Sequence, residues 1–339
     1  MTYYFFGILN VLIIISLSNA INKLFLIRAK YTILITILLI SLLILLSFKI
    51  SIFFLDFFFF KELYLFSLIL SFYFFLKFRV YNLKQLDRSY LDFFFIAILI
   101  LVFSYNNYFL DEDEFQYYGI ILKFLKGLSS DENYVNLFYE NLANKNYQNI
   151  FTDFYTSTTI YFNFYNILLT DYSENLLIFS SNLIIISSFI FLIDPKWKLL
   201  HKSLIFVIFY TLLNNFSFGL MSIYPDAILI CLFACSIKFL DDIKKSELLK
   251  FNNIFIILIL CLSLYLTKRS GAIYSTFVII FILYFKNSLN FNLVKKIILI
   301  SIFFIILASI KLELWNGLEL VNFSKNFILQ DIAIARNMN

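Results

Sequence analysis

A succession of long apolar runs governs what this chain can become. They fall at about residues 3–20, 31–48, 63–76, 93–110, 176–193, 203–220, 223–238, 253–267, 272–285 and 297–312. The hydrocarbon core of a bilayer takes roughly 20 predominantly apolar residues per helical span. Runs of this kind predict an all-α polytopic membrane protein with about eight to ten transmembrane helices. They are continuous rather than alternating, which excludes an outer-membrane barrel. Only 14% of the 339 residues are charged, against about 25% in soluble domains, so the chain lacks the polar groups to cover its own surface in water.

The first run could be mistaken for a secretion signal ending near Ser18-Asn19-Ala20. Its opening residues carry no Lys or Arg, whereas Lys23, Arg28 and Lys30 follow it, the reverse of a signal peptide. It reads as a retained helix with its N-terminus outside. The connections after runs one, three, five, seven and nine hold 17 of the 27 basic residues but 6 of the 22 acids. Basic connections stay cytoplasmic, so the acidic side is expected to face outward across a plasma membrane.

Three cysteines, Cys231, Cys235 and Cys261, lie within apolar runs and read as small buried hydrophobes. His201 has no Cys or His near it in sequence, which leaves a zinc site without ligands. No Gly-rich phosphate loop and no basic aromatic patch is present, so a nucleic-acid partner is not expected.

One external connection, about residues 105–175, is long, polar and acidic, and long loops concentrate function. Its segment from Thr158 to Leu169 is apolar but too short to span, which suits a re-entrant or surface-lying helix packed against the bundle. Asp111-Glu112-Asp113-Glu114 opens the loop, and Phe115, Tyr118, Ile121, Leu122 and Leu125 follow at helical spacing. This predicts an amphipathic helix along the membrane. Asp111 with Glu114 makes a capping box, which uses two of the four acids. The surplus carboxylates repel one another and point to a cation, a bound substrate or a proton transfer. Tyr224-Pro225-Asp226 and Lys268-Arg269-Ser270-Gly271 fall on the same side. A basic pair at the outer surface either snorkels to headgroups or clamps a phosphate.

The order of these features resembles the GT-C superfamily of polytopic glycosyltransferases that draw sugar from a polyprenyl-phosphate carrier. Asp113-Glu114-Phe115-Gln116-Tyr117-Tyr118-Gly119 is similar to a bacterial DEFSHWG pattern, with Tyr117 and Tyr118 in place of His and Trp. Asp153-Phe154-Tyr155 stands where that group has a DYPPG-like segment, Tyr224-Pro225-Asp226 where it has Tyr-Val-Asp, and Lys268-Arg269-Ser270-Gly271 where it has Lys-x-x-Gly.

The resemblance implies N-terminal transmembrane helices over 1–92, a catalytic membrane module over 93–325, and an external tail over 326–339 in a C-terminally shortened member. It implies Asp113 and Glu114 as catalytic residues, with Glu114 orienting the acceptor or helping to hold a divalent cation. Lys268, Arg269, Asp226, Tyr224, Asp153 and Tyr117 would contact substrate. The partners implied are a polyprenyl-phosphate-sugar donor, a glycan or lipid acceptor of the cell envelope, and membrane lipids. Two other classes compete: a transporter or flippase of a lipid-linked or anionic solute, and a non-catalytic relative. A transporter is expected to carry ionisable residues near the midplane and repeated halves. The apolar runs here are nearly free of charge and no internal repeat is found.

Overall fold

The structure, a computed structural model, describes residues 2–54, 60–82, 84–106, 122, 125–126, 158–170, 172–216, 225–243, 250–267 and 270–285. Its helices are α1 (Thr2–Phe25), α2 (Ala29–Phe54), α3 (Phe60–Lys77), α4 (Arg88–Phe103), α5 (Thr158–Ile167), α6 (Glu174–Leu192), α7 (Leu199–Phe216), α8 (Pro225–Asp242), α9 (Phe251–Thr267) and α10 (Gly271–Phe285). Among the described residues there is no strand. Three helices, over Thr2–Phe25, Ala29–Ser47 and Glu174–Leu192, are long and apolar enough to cross a membrane. This is the architecture of a helical membrane protein. Nine of the ten apolar runs overlap helices over their described residues, and the run at 297–312 lies outside the described residues.

Helix α6 forms the centre. Every residue from Leu176 to Phe191 is buried, as expected of a helix that is apolar all round. Helices α2, α4, α5 and α8 pack around it. The outer helices turn large apolar side chains outward: Phe66, Ile69 and Phe72 on α3, Phe95 and Leu99 on α4, Leu204 and Val207 on α7. Faces of that kind suit lipid rather than water. Small polar residues let the inner helices approach closely. Ser18 donates to Thr36 Oγ1 at 2.9 Å, and the Tyr90 hydroxyl lies 2.8 Å from Thr32 Oγ1.

Helix ends follow local chemistry. α4 starts at Arg88, earlier than its apolar run, because the Asp87 side chain caps it by accepting from Ser89 N at 2.9 Å. α3 ends in a Schellman motif: Val80 N donates to Phe75 O at 3.0 Å and Arg79 N to Leu76 O at 3.2 Å. Arg79 occupies the left-handed position with φ 51°, where glycine is the usual residue.

Helix α5 departs most from expectation. A surface-lying helix would expose one side, yet Thr159 to Leu168 are all buried. The segment packs inside the bundle against α2, α6, α9 and α1. Of the two placements that the sequence allowed, only the embedded one fits.

Candidate functional site

Of the residues expected to act in catalysis or to contact substrate, Asp226 is described. It lies in the first turn of α8 and is half-buried. Asp113, Glu114, Tyr117, Asp153, Tyr224, Lys268 and Arg269 lie outside the described residues. The residues that flank the basic pair are described. Thr267 closes α9, and Gly271 opens α10 under a close contact: a Cβ there would come within 1.8 Å of the Leu264 carbonyl oxygen and 3.2 Å of Leu229 Cδ1. Glycine is required because backbone, not a yielding side chain, fills the space. Leu229 is one turn along α8 from Asp226. The first turns of α8 and α10 therefore meet at the same end of the bundle.

Helix α5 carries a buried polar network. Asn163 Nδ2 donates to Ser181 Oγ at 2.9 Å, and Ser180 Oγ donates to Asn163 Oδ1 at 2.5 Å. Asn10 Nδ2 donates to the Asn166 carbonyl at 3.3 Å while Tyr64 donates to Asn10 Oδ1 at 2.7 Å. Ser67 and Tyr165 share a hydroxyl contact of 2.5 Å. These bonds satisfy groups that hydrocarbon would leave unpaired. The C-terminal carbonyls of α5 are met from the acidic loop: Lys126 Nζ donates to Ile167 O at 3.0 Å and Leu168 O at 2.8 Å. A cation at a helix C-terminus also complements its dipole. Leu122 and Leu125 beside it are fully buried, so the apolar face predicted for this stretch is turned into the protein there.

The opposite end holds the ionic ties. Asp242 accepts from Lys30 Nζ at 2.8 Å, Lys238 Nζ at 2.5 Å and the Tyr31 hydroxyl at 2.7 Å. Asp242 lies beyond the apolar run 223–238. Burial acts to raise its pKa, but the hydrogen bonds from Lys238, Lys30 and Tyr31 outweigh that and hold it down at about 2. Asp92 of α4 accepts from Lys202 of α7 in a buried pair, and Lys202 Nζ also donates to Pro195 O at 2.9 Å.

The sequence reading counted these charges as topological signals and missed their pairing. The Lys238–Asp242 spacing of four was legible. The cross-helix partners, more than a hundred residues apart, were not. The three cysteines are buried free thiols, as expected. Among the described residues, no group of three or more His, Cys, Asp or Glu is placed to hold a metal. Comparison with family models, with curated proteins and with solved structures finds no match to this chain.

Proposed function

We propose that this chain is a multi-pass glycosyltransferase of the plasma membrane, with eight to ten spans. It moves a sugar from a polyprenyl-phosphate carrier to a glycan or lipid acceptor of the cell envelope at the outer face. The observation that carries this reading is the order of features along the chain: a carboxylate pair after the fourth span, then Asp226, then Lys268-x-x-Gly271. The approach of Leu229 to Gly271, where an added Cβ would lie 3.2 Å from Leu229 Cδ1, supports Asp226 and the Lys268-Arg269 segment serving one site.

In the proposed reaction the acceptor hydroxyl oxygen attacks the anomeric carbon and the bond from that carbon to the phosphate oxygen breaks. Asp113 takes the hydroxyl proton as general base. The electron pair of the broken bond leaves with the phosphate, giving free polyprenyl phosphate, and the anomeric configuration inverts. Lys268 and Arg269 stabilise the charge that develops on that phosphate, and Glu114 orients the acceptor or helps to hold a divalent cation. Asp226, Tyr224, Asp153 and Tyr117 contact the substrate.

Native mass spectrometry of the purified protein tests the partner. A co-bound polyprenyl-phosphate lipid is expected in the wild type, reduced when Lys268 and Arg269 are both changed to Gln. A protein that carries no such lipid, even after incubation with excess polyprenyl phosphate, refutes the reading.

A further inference from the structure

At the end of the bundle remote from Asp226, a cavity of about 800 Å³ opens between the α1–α2 turn, the start of α4, the α6–α7 turn and the end of α8. Four cations line it, Arg28, Lys30, Lys196 and Lys238, against three carboxylates, Asp87, Asp194 and Asp242. Each carboxylate accepts hydrogen bonds within the protein, Asp242 from cations and Asp87 and Asp194 from backbone N–H groups. Asp87 caps α4 through Ser89 N, Asp194 accepts from Lys196 N at 2.9 Å, and Asp242 holds Lys30, Lys238 and Tyr31. Arg28, which also hydrogen-bonds to Tyr31, and Lys196 are exposed at the cavity, whose lining carries one more cation than carboxylates.

The backbone adds to this field. Ala29, the first residue of α2, lines the cavity, and a helix N-terminus presents unpaired N–H groups and partial positive charge; at the start of α4 the Ser89 N–H is already taken by Asp87. Trp197 stands at the wall, 43% exposed, as an aromatic side chain does at the level of lipid headgroups. Basic pockets between membrane helices take anionic headgroups.

We propose that this cavity binds a phosphate group, with Arg28 and Lys196 as its principal ligands and the headgroup of an anionic phospholipid as its natural source. Lys30 and Lys238 supply supporting charge, fixed in place by Asp242. The site is separate from the proposed transfer site and does not rest on it.

The test is native mass spectrometry of the full chain, delipidated and then incubated with an equimolar mixture of phosphatidylglycerol and phosphatidylethanolamine. The wild type is expected to retain phosphatidylglycerol in preference. Arg28→Gln with Lys196→Gln should lower that retention on the order of tenfold, since each basic side chain contributes appreciably at the headgroup level. The swap Arg28→Lys with Lys196→Arg should restore most of it. A polyprenyl-phosphate adduct at the other end should be unaffected by either pair, which separates this site from the proposed catalytic one. Excess inorganic phosphate identifies the source: retention that persists marks a lipid headgroup site, and displacement marks a site for soluble phosphate. Equal retention of the two lipids by the wild type, or unchanged retention in the double Gln variant, overturns the proposal.

Discussion

Replacing Lys202 by Met removes one half of an ion pair that lies between α4 and α7 with side-chain exposures of 1% for Lys202 and 7% for Asp92. Met keeps most of the aliphatic volume, so the change isolates the charge. Asp92 is left buried without its cation, and breaking a buried pair from one side costs about 3–5 kcal/mol. The Pro195 carbonyl also loses its donor, but Pro195 is half-buried and water can replace that bond at little cost. Removing both charges, with Asp92→Leu added, takes away the uncompensated carboxylate, and such replacements are often close to neutral. The double variant should therefore recover more than half of the loss, a coupling of about 2 kcal/mol or more. Reversible unfolding in mixed micelles, followed by helicity, gives all four corners of the cycle. A single variant that loses less than about 1 kcal/mol, or a double variant as unstable as the single, would refute the pairing as the reason for burial.

Other perturbations have opposite signs. Gly271→Ala places a Cβ against the Leu264 carbonyl; although Ala normally favours a helix, the clash should cost about 1–3 kcal/mol, measured by the same unfolding. Arg79→Gly relieves a left-handed residue within the Schellman motif and should stabilise by about 0.5–1 kcal/mol; a loss of stability would contradict the motif. Asn163→Leu removes the side-chain partner of Ser181 and one of the two of Ser180, which keeps Leu177 O, and should cost about 1–3 kcal/mol, whereas a neutral result would show that the α5 network is dispensable. The Asp242 carboxyl is held at about 2 against an ordinary 3.8. A depressed folded pKa gives stability that is present above the ordinary value and lost as pH falls through the folded one. The stability difference between wild type and Asp242→Asn should stay constant from pH 7 to about pH 5 and shrink between about pH 4 and 2; a difference that vanishes by about pH 6 would contradict the assignment.

The helical class and the positions of nine helices were legible because apolar length and charge placement act locally. Arg28, Asp87, Asp194 and Lys238, which belong to four different connections or helix ends, gather around one cavity. Helix α5 was half legible. Its apolar character and its lack of charge pointed toward the bundle, but the side-chain partners of Asn163 come from α6 and the donor to the Asn166 carbonyl comes from α1, and no local pattern encodes them. Asp92 and Lys202 were read as loop charges because they flank apolar runs; only packing of α4 and α7 against one end of α6 makes them a buried pair. The carboxylates and the basic pair of the proposed catalytic site rest on the sequence; Asp226, and Gly271 next to the basic pair in the chain, are described.

Donor consumption in proteoliposomes tests the central claim most directly. Wild-type protein and Asp113→Asn are reconstituted with a panel of polyprenyl-phosphate sugars and an envelope glycan extract, and release of free polyprenyl phosphate is followed by mass spectrometry. The account predicts release by the wild type for at least one sugar, and none by Asp113→Asn at equal insertion and helicity. Release that Asp113→Asn sustains at the wild-type rate, or a wild type inert toward every donor, would contradict it.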